Sequence, residues 1–312
     1  MNGKNRPPVT VSTCTYRHFE SVYKTIDSVL AQDYPNFEYI ITDDGSDNFP
    51  EAEIRQYIAE RAPDLPLEII HHEENVGTVR NLDYAWRRAR GTYIADVAAG
   101  DTFPAPDTLS KIVEAMERTG CGVLSASRLM VDENGNPMEY LPHRIFRKRL
   151  GKLPARKLYG MFVSGQVYAM FSGSSIAVRK DAFEKLGGYD MKYRLWEDGP
   201  FIAKALHEGA VGTDLDLTIV NYEYGGISTG GSHPLLDKDV ELYNRTDRIG
   251  HIDELSRFRR TLLKVNLEEN RTGAALALRH PLVTAYKLGY RALDKIGRKT
   301  DQLYLKKKGN KA

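Results

Sequence analysis

The sequence predicts an α/β protein with a mostly parallel sheet flanked by helices, followed by a helical and basic C-terminal appendage. Three observations predict this class. From Val9 to Ser127, short apolar runs alternate with stretches in which apolar residues recur at helical spacing. One apolar run leads directly into two adjacent carboxylates, Asp43 and Asp44. From Leu235 onward, strand patterns give way to helical ones, and lysine and arginine accumulate.

The elements of the first part follow one another in a regular order. Strands are predicted at 9–13, 37–42, 67–70, 93–97 and 122–127. Helices are predicted at 19–32, 51–61, 76–90 and 109–117. Because a helix that links two strands returns the chain in the same direction, this order predicts a parallel sheet with helices on both faces.

The regular pattern weakens after Arg128. The polar run at 132–137 predicts a turn between two antiparallel strands. Residues from about 140 to 170 mix arginine and lysine clusters with aromatic residues, which predicts a mobile segment or one that faces a second substrate. Regular patterns return with strands at 173–178 and 217–222 and with helices at 180–186 and 200–208.

Composition and charge narrow the class of protein. A composition of 41% hydrophobic and 28% charged residues is typical of a soluble globular protein, and 312 residues are enough for one large α/β domain with an appendage or for two modest domains. The net charge of +2 conceals an asymmetry, because the chain from Arg271 onward carries 11 Lys/Arg against two acids, a local charge of +9. Such a tail predicts an anionic membrane surface as partner. Because only the tail is strongly basic, a nucleic-acid binder is disfavoured.

The tail also has an amphipathic pattern. Leu282, Tyr286, Tyr290 and Leu293 fall near one helical face, ahead of the lysines at 306–308. A basic amphipathic helix lies in an anionic bilayer interface, so the sequence predicts membrane contact here. The alternative is a helix packed on the body with a free basic end.

Several features of the chain predict a cytoplasmic protein. Cys14 and Cys121 give neither a disulfide framework nor a metal-ligand spacing, which fits a reducing compartment. The N-terminal residues lack the apolar core of a signal peptide. The apolar runs fall short of the ~18–20 residues that span a bilayer. We therefore expect a cytoplasmic protein, either free or peripheral on the inner face of the cell membrane.

Asp43 and Asp44 stand where an open parallel sheet binds its ligand, outside the carboxyl end of a strand. Carboxylates accept hydrogen bonds from hydroxyl and amide groups, but they repel a bare phosphate. The pair therefore favours a nucleotide site recognised through base and ribose, and a nucleotide-sugar enzyme over a dehydrogenase. The alternative is an Asp-Gly turn that only caps the next element.

At this point the chain resembles the family 2 glycosyltransferases with the GT-A fold, of the bacterial surface-polysaccharide type. The matching segments between Val9 and about Gly231 are Thr15-Tyr16, the run at 28–38, Asp43-Asp44-Gly45-Ser46, Asn75-Val76-Gly77, Arg80-Asn81, the run at 89–94, Gly188-Tyr189-Asp190 and Glu197-Asp198. Each segment is short, and their order and spacing make the set specific. The resemblance implies a GT-A domain over 1–235, with a nucleotide-sugar half at about 7–128 and an acceptor half at about 129–235. A helical, basic, membrane-associating region over 236–312 follows.

The resemblance also implies which residues hold the nucleotide. Asp44 is assigned to the nucleobase, where a carboxylate accepts the uracil N3–H. Thr15, Tyr16, Asn75 and Arg80 are assigned to the same nucleotide site. An arginine would make a bidentate contact to the diphosphate, although Arg80 on an exposed helix face would instead be only solvated.

A divalent metal is implied next to Asp101. Acids are common in the family at the positions of Ala98 and Gly100, and here Asp101 alone matches the acidic cluster. Mg²⁺ commonly uses one or two protein carboxylates, so Asp101 is assigned to Mg²⁺ or Mn²⁺, with His233 as a second candidate ligand. The alternatives are that Asp101 caps a helix and that Asp96 is the ligand instead.

The reaction residues are expected just before a helix. The resemblance assigns Asp198 as the general base for the acceptor hydroxyl, and Trp196 and Glu197 to the acceptor. The two acids could equally support a helix N-terminus ahead of Pro200. The glycine-rich stretch at 222–233 predicts a flap over the donor.

The resemblance implies an inverting hexosyl- or N-acetylhexosaminyltransferase. It would move a sugar from a UDP-sugar to a glycan or lipid-linked acceptor of a bacterial capsule, exopolysaccharide or lipopolysaccharide. A non-catalytic sugar-nucleotide or glycan-binding relative remains the alternative, since the acidic cluster is thinned. A nucleotidyltransferase is disfavoured because the loop after the first strand lacks glycine. A glycosidase remains conceivable, since carboxylate separations are not readable from sequence.

Overall fold

The computed structural model describes residues 6–17, 19–165, 170–225, 233–268 and 274–309. Its strands are β1 Val9–Thr15, β2 Phe37–Asp43, β3 Leu67–His71, β4 Tyr93–Asp96, β5 Val123–Val131, β6 Pro137–Leu141, β7 Ile176–Arg179 and β8 Val211–Glu223. Within the described residues they form one sheet in the order β3-β2-β1-β4-β7-β5-β6, with β8 paired to β5.

The first half of the sheet is parallel, as the alternating pattern predicts. β3, β2, β1 and β4 pair in parallel. The helices of this half are α1 Phe19–Leu30, α2 Glu51–Arg61, α3 Thr78–Arg88 and α4 Thr108–Thr119. The apolar side of α3 explains its place, since Val79, Leu82 and Trp86 are buried in the core. This arrangement directs the carboxyl ends of β1, β2 and β4 to one edge of the sheet.

The second half is mixed. β7 runs antiparallel to both β4 and β5, and β6 runs antiparallel to β5. The predicted turn at 132–137 therefore does join antiparallel strands. β8 pairs in parallel with β5 and is longer than the predicted 217–222, because its register shifts around Ser127 allow pairing along the whole of β5.

The segment at 140–170, predicted to be mobile or to face a second substrate, is mostly helical. α5 spans Arg144–Leu150 and α6 spans Ala155–Val163. Leu150, Leu158 and Val163 are buried in the core, and most of the basic residues of these helices lie on the exposed side. The arginine and lysine clusters thus obscured a short apolar stripe. Residues 166–169 lie outside the described part of the chain.

The rest of the chain is mainly helical. The later helices are α7 Lys180–Lys185, α8 Asp198–His207, α9 Pro234–Arg245, α10 Asp247–Gly250, α11 Arg257–Leu267, α12 Ala274–Arg279 and α13 Pro281–Gly309. α9 begins with a proline in its first turn, where the missing N–H costs nothing. The domain boundary at 235 coincides with this start and stays a prediction.

α13 is docked on the acceptor half through buried polar contacts. His143 Nδ1 lies 2.9 Å from Asp301 Oδ2, and both side chains are buried. Gly297 allows this approach, since a Cβ there would lie 2.6 Å from the imidazole. Arg298 pairs with Glu139 at 3.0 Å. The start of the predicted appendage and its long helix are therefore packed on the body.

The predicted apolar face of the tail is only partly exposed. Tyr286 packs on Phe258 with ring centroids 5.2 Å apart. The exposed aliphatic side chains of α13 are Leu282 and Leu293 of the predicted face, together with Leu288, Ile296 and Leu303. At 100° per residue they span an arc of about 140° opposite the buried side. Among the described residues, no helix combines the length and apolar character that crossing a bilayer requires.

Candidate functional site

Asp44 lies at the carboxyl end of β2 and holds the turn that starts α3. Its Oδ1 accepts the backbone N–H of Val76 at 2.8 Å, and its Oδ2 accepts Asn75 Nδ2 at 2.9 Å. The backbone N–H of Gly77 also points at the carboxylate. Burial raises the pKa of Asp44, and these N–H donors oppose that rise. Turn support is thus established, and recognition of a nucleobase stays a prediction.

Asp43 is fully buried and supports the same turn region. It accepts the N–H and the hydroxyl of Ser46, both at 2.7 Å, and lies 2.9 Å from His71 Nδ1. Its two oxygens are therefore engaged by neighbouring protein groups. Of the two acids, Asp44 is the one that remains slightly exposed, at 5%.

Arg194, which sequence reasoning missed, also contacts the turn that Asp44 holds. Arg194 Nη2 donates to the backbone oxygen of Asn75 at 2.9 Å and to its Oδ1 at 3.1 Å. Asn75 therefore links Asp44 to the loop before α8. Arg80 is exposed in the first turn of α3, and within the described chain it forms no ion pair. Arg194 therefore adjoins the turn that Asp44 holds, and contact of Arg80 with the diphosphate stays a prediction.

Thr15 ends β1 with an unsatisfied polar atom. Its side chain is 5% exposed, and Oγ1 is buried with no hydrogen-bond partner among the described residues. Because buried hydroxyls are normally satisfied, this atom is a ready contact for a ligand. Tyr16 is half-buried, and the guanidinium of Arg17 lies over its ring at 4.9 Å.

Asp101 is buried beside the end of β8. Its Oδ1 accepts the backbone N–H of Glu223 at 2.9 Å. Burial raises the pKa of Asp101 to about 7, and the nearby carboxylates of Asp96 and Glu223 add to the rise. A cation would favour the charged form of such a carboxyl, so the donor set fits a divalent metal held by one or two carboxylates.

Lys24 and Glu223 form an ion pair next to Asp101 that sequence reasoning missed. A Cβ added to Gly100 would lie 3.3 Å from Glu223 Oε2. Glu223 therefore brings a second carboxylate to the position where the acidic cluster is thinned. Lys24 balances its charge from α1. Burial raises the pKa of Asp96 to about 6, and its carboxylate accepts a hydrogen bond from Ser12.

Asp198 begins α8 and is oriented by a backbone donor. Its Oδ2 accepts the N–H of Gly173 at 2.7 Å. A Cβ at Gly173 would lie 3.1 Å from both Asp198 Cβ and Glu197 Oε1, so glycine allows the close approach. Burial raises the pKa of Glu197 well above its usual range, and the neighbouring Asp198 adds to the rise.

The loop that carries Trp196 and Glu197 is held by Asp239, which sequence reasoning also missed. Asp239 Oδ2 accepts the backbone N–H groups of Arg194, Leu195 and Trp196 at 2.6–3.1 Å. The Trp196 ring packs on Tyr243 at 5.0 Å. A Cβ at Gly199 would lie 2.4 Å from the indole. α9 therefore positions the predicted acceptor loop.

Arg128 is a buried cation in the middle of β5. It is 9% exposed, and its one described hydrogen bond is a long one of 3.4 Å to Ser175 Oγ. Among the described residues it pairs with no carboxylate at salt-bridge distance. Burial lowers the pKa of Arg128, whereas Tyr222, Asp198 and Asp101 raise it. A buried guanidinium without a paired carboxylate is suited to an anionic ligand.

Cys14 lies near the end of β1, below the predicted site. Burial raises the pKa of the Cys14 thiol well above its usual range, and Asp96, Glu197 and Asp101 each raise it further. His233 is not joined to Asp101 by any described contact, and its Nδ1 is buried without a partner in the described chain. The predicted flap residues 226–232 lie outside the described residues.

Comparison with known proteins identifies the family. Residues 10–187 match the sequence model of Glycosyl transferase family 2. The chain belongs to this family. It is 30% identical to the teichuronic acid biosynthesis glycosyltransferase TuaG of Bacillus subtilis over 138 residues. These residues cover 44% of this chain and 53% of TuaG. It is 27% identical over 212 residues to the B. subtilis glycosyltransferase EpsE, covering 67% of this chain and 70% of EpsE. The chain thus spans about half the length of TuaG.

The expected GT-A fold is confirmed by solved structures. S. aureus TarS 1-349 in complex with UDP-GlcNAc superposes with a TM-score of 0.61 at 15% identity, over 83% of this chain and 71% of that chain. The Pyrobaculum calidifontis mannosyltransferase PcManGT, in complex with GDP-Man and Mn²⁺, superposes with a TM-score of 0.52 at 19% identity, over 97% and 88%. At these identities the likeness establishes the fold.

Proposed function

We propose that this family 2 member is an inverting glycosyltransferase of bacterial polysaccharide synthesis. It moves a hexosyl or N-acetylhexosaminyl group from a UDP-sugar to a glycan or lipid-linked acceptor. The observation that carries the proposal is the buried guanidinium of Arg128, which pairs with no carboxylate at salt-bridge distance among the described residues. A buried cation without an anionic partner suits a diphosphate leaving group. The names of TuaG and TarS support the polysaccharide pathway and the UDP-sugar.

The donor half binds the nucleotide through fixed polar groups. Asp44 accepts the uracil N3–H through the part of its carboxylate that stays exposed. The Thr15 hydroxyl, which has no hydrogen-bond partner among the described residues, bonds to the nucleotide. Asp101 holds Mg²⁺ or Mn²⁺, and Glu223 is a second carboxylate within reach. The ion, when bound, neutralises the diphosphate and assists its departure. Arg80 and Arg194 lie at the mouth, where they attract the anionic donor.

The acceptor half supplies the base. The Gly173 N–H fixes Asp198 Oδ2 at 2.7 Å, which orients the carboxylate toward an acceptor hydroxyl. As the acceptor oxygen bonds to the anomeric carbon, the bond from that carbon to the diphosphate breaks. The hydroxyl proton passes to Asp198 and UDP leaves with the electron pair of the broken bond. Glu197, whose raised pKa favours the protonated form, donates a hydrogen bond to the acceptor.

UDP release from a panel of UDP-sugars tests the proposal. We expect wild-type protein to release UDP from one donor class, and faster when a membrane lipid extract supplies the acceptor. Arg128→Met should lower kcat/KM about 10- to 150-fold, because it removes a charge-assisted hydrogen bond to the leaving group and such a bond contributes about 1.5–3 kcal/mol. The melting temperature should hold or rise, because the variant removes a desolvated, unpaired charge.

The matched control is Arg147→Met. Arg147 is also buried, but its main charged neighbour is Asp301 of α13. Loss of the Arg147 guanidinium should therefore affect stability and not the kinetics of UDP release. UDP binding without release from any donor, even with lipid extract, would support the non-catalytic alternative. Equal kinetics for wild type and Arg128→Met would remove Arg128 from the site.

We also propose that α13 lies on the inner face of the membrane. Its exposed leucines and Ile296 lie beside lysines and arginines on the same side of the helix, and its opposite side is fixed to the body by Asp301. An apolar arc flanked by cations fits an anionic interface. A cytoplasmic protein attached in this way would reach a lipid-linked acceptor.

Vesicle sedimentation tests this attachment. We expect binding to vesicles that contain phosphatidylglycerol, weaker binding at high salt, and little binding to pure phosphatidylcholine. Ile296→Glu should weaken binding at least about tenfold, since burying one such side chain contributes about 1.5–3 kcal/mol. Gln302→Glu adds the same charge outside the apolar arc and serves as control. Equal affinities for the two variants would contradict insertion of the apolar face.

A further inference from the structure

His207, His251 and Glu254 form a cluster at the far end of the helix that Asp198 begins. His207 is the last residue of α8, His251 directly precedes a 3-10 turn at Ile252–Glu254, and Glu254 is the last residue of that turn. Glu254 Oε1 lies 3.2 Å from His207 Nε2 and 3.0 Å from His251 Nδ1. The two imidazole rings stack with centroids 3.8 Å apart at 25°. Both rings therefore present a nitrogen to one carboxylate oxygen.

The spacing of these atoms matches a tetrahedral metal site. Zinc binds histidine nitrogen and carboxylate oxygen at about 2.0–2.2 Å, which separates neighbouring ligand atoms by about 3.4 Å. Each of the three residues supplies one ligand atom, and among the described residues these three atoms all lie within 4.8 Å of one another. Two imidazoles and one carboxylate are also the donor set of many zinc sites. Small movements of exposed side chains would suffice to admit the ion.

The surroundings of the cluster support the ligands. The second ring nitrogen of His207, Nδ1, lies 3.4 Å from Glu208 Oε1, and a carboxylate at that position orients a metal-bound histidine. Tyr159 packs edge-on against both rings, at 5.2 and 6.5 Å. Arg156 lies 3.5 Å from Glu254 Oε2 and is 81% exposed, so it leaves Oε1 to the histidines.

We propose that His207, His251 and Glu254 bind one Zn²⁺ ion. Three protein ligands leave the fourth position to water, and both histidines line a cleft of about 540 Å³ that could admit a further ligand. The ion would tie the C-terminal end of α8 to the segment before α11. The site is separate from the Asp101 region, and it stands whether or not the protein transfers a sugar.

Isothermal titration of EDTA-treated, full-length protein with zinc chloride tests the proposal. We expect one Zn²⁺ per chain in the wild type, retained in Asp101→Asn, which removes the predicted active-site ligand. Glu254→Gln and His251→Ala should each weaken binding at least about tenfold, the loss that even an outer-sphere partner causes. His280→Ala, at a half-buried histidine outside the cluster, should bind like the wild type.

Thermal unfolding gives a second readout that does not depend on activity. Zinc should raise the melting temperature of the wild type and of His280→Ala, because it binds the folded chain, and should not raise that of Glu254→Gln. Glutamine keeps the size of glutamate, so this variant tests the charge and not the fold. Equal zinc affinity and equal thermal shifts in wild type and Glu254→Gln would overturn the proposal and leave a hydrogen-bonded cluster without metal.

Discussion

Asp198→Asn should lower kcat for sugar transfer by about 10²–10⁴-fold, the contribution of a positioned general base. Asparagine keeps the size of the side chain, and its amide oxygen still accepts the N–H of Gly173. It cannot take the proton of the acceptor hydroxyl. We therefore expect unchanged melting temperature and unchanged UDP affinity, with the loss confined to kcat.

Glu197→Gln is the matched control for this experiment. Burial raises the pKa of Glu197 and so favours its neutral form, which a glutamine resembles in size and in donating a hydrogen bond. This variant should keep most of the activity that Asp198→Asn loses. The opposite ranking, with Glu197→Gln the more damaging change, would assign the base to Glu197 and contradict the mechanism.

The positions of these acids illustrate what the sequence predicts well. The alternating pattern places Asp43 and Asp44 at the carboxyl end of β2, and parallel pairing with β1 and β4 then brings Thr15 and Asp101 toward the same edge. The position of Asp198 at the start of α8 follows from local signals, including Pro200. The local spacing of apolar residues is enough to predict these positions, because each depends only on one helix or strand and on the direction in which it runs.

Other residues of the site depend on contacts that no local pattern records. Arg128 stands within an apolar strand, and only the pairing of β5 with β7 and β8 places it near Asp101 and Asp198. Glu223 contacts Asp101, which lies 122 residues earlier in the sequence. Asp239, on α9, binds the loop at 194–196. Charged residues like these look solvated in a sequence, because their partners are distant in the chain.

Asp44 marks the limit between the two cases. Its position at the end of β2 is predicted, but the sequence does not reveal that its carboxylate holds Asn75, Val76 and Gly77 in place. These bonds lead to the turn before α3 and not to α2, the next element, which has no side-chain cap. The alternative that Asp44 only caps the next element is therefore wrong, and recognition of a nucleobase stays a prediction.

Asp101→Asn should abolish metal stimulation of UDP release and lower the rate with Mn²⁺ about a hundredfold or more, since charge stabilisation by a bound cation contributes several kcal/mol. Asparagine can still accept the Glu223 N–H, so the fold around it should persist. Titration of the protein with Mn²⁺ in the presence of UDP should show the same loss as an affinity change. EDTA should reduce the wild type to the level of the variant.

Two further variants separate the possible ligands. Glu223→Gln leaves Asp101 in place and frees Lys24 from its ion pair, so we expect an intermediate loss of Mn²⁺ affinity. Asp96→Asn should have a smaller effect than Asp101→Asn, because Asp96 is engaged by the Ser12 hydroxyl within the sheet. A larger loss in Asp96→Asn would move the ligand role to that residue. Full activity of the wild type in EDTA would instead indicate that Arg128 and Lys24 neutralise the diphosphate without a metal.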